Sequence, residues 1–412
     1  MNMEPRAERK SWAPTALLLV TTVAVLVASY ALKAQCVDQP WDGRQWSHFC
    51  ATDILVVYYN ERFDAGPSPF PPLTVEYPPL IGFYVGGAAA LSSGASGFML
   101  ANAAGIAAAA IAAVLLLAKM SPSRRAYLFV LSPTLFLYAF QNWDLLVVAL
   151  GLAGLLAATR RRYGISGVLL GVGAAVKFFP ALLLPGVYLA ARAKGGGRAG
   201  WRAIGGFLAG VLPANVLLFL LSRHAWEYFW SFQSARFPNP ETSWFMVFRH
   251  LRGGPFVDGW WAQNYPGIIN IASMGALLVI GIWIVAKERR RPEPRMVSTG
   301  LCLTLAFLLT SKVFSPQYML WLLPLLIVLE VPVPALIGFF VVDVWCFAMA
   351  NAYFLSIARG WDWAIRLDIL EAGVWARYAV LAWLLWWQLH PKEPRGRASY
   401  EGVAPARRPH WM

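Results

Sequence analysis

The chain has 412 residues, of which 58% are apolar and only 14% charged. A soluble domain carries roughly 45–50% apolar and about 25% charged residues, so this composition excludes a disordered chain and a cytosolic enzyme. The net charge of +14 falls in short clusters between apolar blocks, the pattern of cytoplasmic loops beside anionic lipid and not of a nucleic-acid-binding face.

The basic block Met1–Lys10 precedes an apolar stretch over 12–32. That stretch is too long, and too poor in small residues at its end, for a cleaved signal peptide. It reads as a retained first helix over 13–32 with the N-terminus inside. Residues 33–77 form a long polar extracytoplasmic loop. Apolar blocks follow at 79–93, 98–118, 126–140 and 143–158, then two short ones at 165–176 and 180–191. Next come 203–222, a second large outside loop over 223–265, and crossings at 267–286, 297–311, 317–331, 334–351 and 373–389. The expectation is an all-α polytopic membrane protein with about 10 full crossings plus short broken or re-entrant helices, 10–13 helical segments in all. One transmembrane domain covers 1–390, and 391–412 is a basic cytoplasmic tail.

Placing Arg160–Arg162 inside requires that 126–140 dip in and return, with Ser132-Pro133 as its break. The blocks 165–176 and 180–191 read as half-helices meeting at Lys177-Phe178-Phe179-Pro180. Broken helices at membrane depth must be buried in protein or line a cavity. Two such breaks point to a cavity open to the outer face.

Acidic residues concentrate in the first loop: Asp38, Asp42, Asp53, Glu61, Asp64 and Glu76. The spacing over 53–63 predicts a short helix lying on the membrane surface. Asp53 near its start is either a helix cap or a general base at the water–membrane boundary. Lys177 at the apex of the broken pair, with Lys312, is suited to hold a lipid phosphate beside carboxylates. Asp343, inside a helix, reads as a group satisfied by Trp345 or a neighbouring helix. The five histidines form no pair at ligand spacing, so no metal is assigned; a divalent ion on Asp53 and Glu76 has no further support. No phosphate-cradling Gly loop or nucleophile elbow occurs. Cys36 and Cys50 share the outer loop, where disulfides persist, and are expected to pair.

Five motifs occur in order: Thr52-Asp53-Ile54 with Tyr58, Glu76-Tyr77-Pro78-Pro79, Asn142-Trp143-Asp144-Leu145-Leu146, Val176-Lys177-Phe178-Phe179-Pro180, and Phe314-Ser315-Pro316-Gln317-Tyr318. Together they resemble glycosyltransferase family 87, which belongs to the polyprenol-phosphate-sugar-dependent class C glycosyltransferases and includes mannosyltransferases. The resemblance spans about residues 36–325. It implies an aspartate base in the first outer loop, matched by Asp53. It also implies a polyprenyl-phosphate sugar donor, with mannose ahead of arabinofuranose, a glycolipid or glycan acceptor, and no cofactor. The glutamate before Pro-Pro, here Glu76, recurs in related lipid-linked aminoarabinose transferases. Tyr58, Glu76, Asn142, Asp144, Lys177, Lys312 and Gln317 are the expected substrate-binding residues. The long Cys-bearing insert before Asp53 departs from the simplest family pattern. The competing functions are a transporter or flippase of a lipid-linked sugar, which mid-membrane breaks would also suit, and a non-catalytic envelope scaffold.

Overall fold

The computed structural model describes residues 13–38, 41–61, 63, 75–252, 259–362 and 364–391. The N-terminal basic block, residues 64–74 of the first loop and the basic tail beyond 391 lie outside the described residues. Among the described residues the chain forms seventeen α-helices and no strand. In the first third these are α1 (Ala13–Ala34), α2 (Arg44–Ser47), α3 (Asp53–Asn60), α4 (Pro79–Ala90), α5 (Gly94–Met120), α6 (Ser123–Val130) and α7 (Pro133–Tyr138). The middle contains α8 (Asp144–Thr159), α9 (Tyr163–Val176), α10 (Leu184–Leu221), α11 (Arg223–Ala235) and α12 (Ser243–Arg252). The last third contains α13 (Gly259–Arg289), α14 (Met296–Thr310), α15 (Met319–Val328), α16 (Val333–Ala358) and α17 (Ala364–Leu389). Six helical stretches are long and apolar enough to cross a membrane, and five more are shorter apolar helices of 10–17 residues. The chain is therefore an all-α, multi-pass membrane protein. The helix count exceeds the expected 10–13 because the two large polar segments, 33–77 and 223–265, carry short helices of their own and the broken crossings divide.

The breaks follow from local chemistry. Pro133 cannot donate a backbone N–H, so it serves as the first residue of α7, and Ser132 Oγ accepts from Leu135 N at 3.0 Å. The block 126–140 thus becomes two helices of eight and six residues, roughly 12 and 9 Å long at 1.5 Å per residue, too short to cross. At the second break Lys177 is extended (φ −155°, ψ 153°) and Pro180 lies in a 3-10 turn over Phe179–Leu183. As expected, the blocks 180–191 and 203–222 are separate helices: the stretch labelled α10 is two helices either side of a chain reversal at Gly196, whose φ of 74° suits only glycine.

After that reversal α10 runs parallel to α9 with backbones in direct contact. A Cβ on Gly167 would meet Ala203 O at 2.1 Å, on Gly171 Phe207 O at 2.1 Å, and on Gly206 Gly164 O at 2.2 Å. Small residues permit this approach where no hydrophobic effect drives helices together.

The helix α3 ends at Asn60 and is no surface helix: Ile54, Leu55, Val57 and Tyr58 are all buried in the main core. The segment 223–265 holds α11, α12 and the start of α13.

The first loop is fastened at several points. Cys36 and Cys50 are bonded, with Cα atoms 5.9 Å apart. The buried Lys33 ammonium donates to Phe49 O (3.0 Å), Ala51 O (2.9 Å) and Gln141 Oε1 (2.7 Å). Thr52 Oγ1 donates to Phe140 O at 2.7 Å, and Asp53 N to Gln141 O at 2.9 Å. Gly43, at φ 103°, brings α2 against α16, leaving 3.2–3.3 Å between a built Cβ and Leu355, Ala358 and Arg359.

The loop-closure model gives a 15-residue ring roughly 3 kcal/mol of stabilisation. The Cys36→Ser/Cys50→Ser double variant is expected to lose stability of that order. Thiol labelling of the unfolded protein should modify two cysteines without reductant and four with it. Gly171→Ala is expected to cost at least about 1–3 kcal/mol through overpacking. Its thermal midpoint should fall well below that of Gly205→Ala, where a Cβ meets nothing within 4 Å.

Candidate active site

The first loop, the ends of α9 and α14, the segment 229–241 and one side of α16 enclose a cavity of about 670 Å³. It forms where apolar helices stop short, so their ends and connecting turns bring polar groups to one place. The basic turns after α8, at Gly196 and between α13 and α14 lie at the opposite ends of the same helices.

Asp53 lines this cavity. It is not the cap of its helix: Thr52 takes that role, its side chain accepting from Ile54 N at 3.3 Å. Asp53 is the first helical residue, and its carboxylate is free to be used elsewhere. The Oδ2 atom accepts from Asn142 Nδ2 at 2.5 Å, Gln317 Nε2 at 3.2 Å and, more distantly, the Tyr77 hydroxyl at 3.5 Å. Asn142 Nδ2 also reaches Tyr77 Oη at 3.0 Å. Among the described residues, nothing donates to Oδ1. One oxygen is therefore fixed in position and the other is left open. Such an arrangement can take a proton from a group entering the cavity.

Lys177 also lines the cavity, but its ammonium is not bare. It bonds both oxygens of the fully buried Asp144 at 2.9 Å, and Trp321 Nε1 donates to Asp144 Oδ1 at 2.8 Å. Tyr77 and Tyr318 rings lie 5.7 and 5.6 Å from Lys177 Nζ. Asp144 thus sits behind the wall as the counter-ion of Lys177 and does not line the cavity. Lys312 lines it, yet donates to Ser234 O (3.0 Å) and Arg236 O (2.6 Å), so it chiefly anchors the segment after α11. Its pKa is pushed down to about 8 by burial and by Arg236. Tyr58 is a further correction: it packs in the core against Phe98, with ring centroids 5.2 Å apart, and is absent from the cavity wall. Asp343 is satisfied by a neighbouring helix, the second of the two expected alternatives: Thr134 Oγ1 and Tyr138 Oη of α7 donate to it at 2.6 and 3.0 Å.

Glu76 faces the cavity, its pKa raised by burial and partly restored by Arg236. Among the described residues no three His, Cys, Asp or Glu side chains come together at metal-binding spacing.

Three cavity residues escaped the sequence analysis. Arg236 lines the wall, and no hydrogen bond or ion pair engages its guanidinium among the described residues. Glu241 is buried there, with a pKa pushed up to about 7 by burial against the opposing pull of Arg377. Lys33, which looks like a helix-end lysine in sequence, pins the turn leading into Asp53. Only the first could have been suspected, as a basic residue in an aromatic outer loop; pairings such as Lys33 with Gln141 are over a hundred residues apart.

No curated protein matches the sequence. The crystal structure of ArnT from Cupriavidus metallidurans in the apo state is similar over 92% of this chain and 78% of that one, with a TM-score of 0.43 and 16% identity. The family model for glycosyltransferase family 87 matches residues 75–311, more than half of the chain, and so takes in three of the five motif regions, those at Glu76, Asn142 and Lys177. The chain belongs to glycosyltransferase family 87.

Proposed function

We propose that this membrane glycosyltransferase moves a sugar, mannose in the first instance, from a polyprenyl phosphate to a glycolipid or glycan acceptor, with Asp53 as general base. The observation that carries this reading is the divided role of the Asp53 carboxylate, which lines the cavity with Oδ2 held by Asn142 and Gln317 and no donor on Oδ1 among the described residues. In this mechanism the acceptor hydroxyl loses its proton to Oδ1 while its oxygen attacks the anomeric carbon. The bond from that carbon to the phosphate oxygen breaks, and the lipid phosphate leaves with the electron pair. A polyprenyl phosphate is a good leaving group and needs no general acid. A single displacement inverts the anomeric configuration.

The donor's charge and tail favour one side of the cavity. A phosphate is stabilised by preorganised cations, and Arg236 and Lys177 both line the cavity, with Lys177 followed in sequence by Phe178, whose ring is 5.6 Å from that of Phe307. The cavity continues, through Phe178, Met274 and Leu277, into an apolar groove of about 790 Å³ between α13 and the start of α10. Arg236, whose guanidinium has no competing partner, is the first choice for the phosphate. Lys177 is the second, its charge already matched by Asp144. The basic turns at the far end of the helices favour the cytoplasm, which makes the cavity extracytoplasmic and both termini cytoplasmic.

Asp53→Asn preserves shape and removes basicity, so transfer from polyprenyl-phosphate mannose by purified protein is expected to fall by about 10² to 10⁴. Near-normal turnover would remove Asp53 from the role. Arg236→Gln should raise the donor KM by roughly 10-fold or more, the worth of one charge-assisted hydrogen bond, with acceptor KM unchanged. Lys177→Met alone strands the buried Asp144 carboxylate, at a cost of about 3–5 kcal/mol. Its share in donor binding is therefore read from Lys177→Met/Asp144→Asn, which removes both charges; an unaltered donor KM there would limit Lys177 to a structural part.

A further inference from the structure

The Cys-bearing insert is the one sequence feature that the donor and the base leave unexplained. Its ring encloses α2, and α2 rests on the C-terminal part of α16. The indole of Trp46 stacks on Phe354 with ring centroids 4.8 Å apart and planes at 27°. Both side chains line the cavity, as does Asn351 one helical turn before Phe354. Asn351 Nδ2 donates to Phe347 O at 2.8 Å, which leaves its amide oxygen for another donor. The indole N–H of Trp46 has no hydrogen-bond partner among the described residues.

None of Trp46, Asn351 and Phe354 lines the apolar groove that Phe178, Met274 and Leu277 share with the cavity. Their wall is tied to Asp53 through Lys33, which lies 5.8 Å from the Phe347 ring and bonds Ala51 O and Gln141 Oε1. With Phe49 O these make three oxygens that occupy the Lys33 ammonium, so among the described residues the wall offers no unengaged cation for a phosphate. It presents instead aromatic faces, one N–H donor and one amide oxygen. A pyranose ring matches that set: its C–H face packs on an aromatic ring, and its hydroxyls both donate and accept. A peptide or a bare lipid tail would leave the indole N–H and the amide oxygen unanswered.

We infer that the disulfide-closed loop and α16 form the acceptor subsite, in which Trp46, Phe354 and Asn351 bind a pyranose of a carbohydrate acceptor with its hydroxyl turned toward Asp53. The inference rests on the donor assignment above only for the name acceptor; the carbohydrate site itself can be tested without turnover. The protein is placed in lipid nanodiscs free of glycoside detergent. Octyl α-mannopyranoside is titrated by saturation-transfer NMR, with octanol as the tail-only control, a serine-containing peptide as the rival acceptor and farnesyl phosphate as the donor-side probe.

Saturation transfer should fall on the sugar protons, and Trp46→Ala should weaken glycoside binding by roughly tenfold while leaving farnesyl phosphate affinity unchanged. Trp46→Phe, which keeps the stack, should recover part of the loss. Asn351→Ala, which leaves Trp46 in place, should weaken binding by roughly two- to tenfold and serves if Trp46→Ala does not fold. No glycoside binding by the unmodified protein, octanol binding as tightly, peptide binding in preference, or equal glycoside affinity in these variants would each overturn the subsite. A Trp46-dependent glycoside site without any farnesyl phosphate binding would leave the carbohydrate site standing and remove the donor assignment instead.

Discussion

A single carboxylate oxygen, Oδ2 of Asp53, joins chain segments that are far apart in sequence. Its donors come from Tyr77 before α4, Asn142 at the head of α8 and Gln317 at the head of α15, up to 264 residues away. Each donor stands where a helix begins, because backbone breaks are where side chains can turn inward from an apolar bundle. A carboxylate placed among lipid-facing helices without such donors would be too costly to keep charged. The breaks at Pro133, Pro180 and Pro316 therefore do more than shorten helices: they create the polar turns among which a charged group can sit at the end of the bundle.

The same logic governs the cations. Lys177 and Asp144 form a buried pair whose Coulomb attraction is set against the desolvation of both ions, and Trp321 supplies one of the extra hydrogen bonds such a pair needs. Lys33 has no carboxylate at bonding distance but three oxygens from two loops, which suits a role in fixing position. Arg236 differs from both in having no hydrogen bond or ion pair to its guanidinium among the described residues; it lies 6.0 Å from the Phe232 ring. Cations that are already satisfied organise the cavity, and an unsatisfied one at its wall is available to an incoming anion.

Much of this was legible in sequence. Apolar block length located nearly every helix, since a bilayer-crossing helix must be apolar for its whole length, and proline located the breaks. The motif residues Asn142, Lys177 and Gln317 converge on one cavity, as does Glu76. What was not legible depends on packing direction. The pattern around Asp53–Phe63 is apolar enough for a membrane surface or for a core, and only contact with α5 buries Tyr58 and its neighbours. Thr52 and Asp53 are both good cap residues, so their order at the helix start could not be read from residue type alone.

The cavity's two sides also bear on the stereochemical course of the proposed reaction. In an inverting displacement the nucleophile and the leaving group lie on opposite faces of the anomeric carbon, so the base must stand with the acceptor and the cations with the phosphate. The apolar groove shares Phe178, Met274 and Leu277 with the cavity, and none of the residues of the disulfide-closed loop or α16. Asp53 is linked to Lys177 through Tyr77, and to the disulfide-closed loop through the turn that Lys33 holds. A carboxylate so placed can reach a hydroxyl arriving from the α16 side while staying clear of the phosphate's own charge. A retaining mechanism would need a second carboxyl group about 5–5.5 Å from the first, one acting as nucleophile. Two other carboxyls line the cavity, Glu76 and Glu241; burial favours the protonated form of both, and the Glu241 carbonyl accepts from Arg377 at 2.6 Å, which suits them to hydrogen-bond a sugar hydroxyl better than to attack an anomeric carbon.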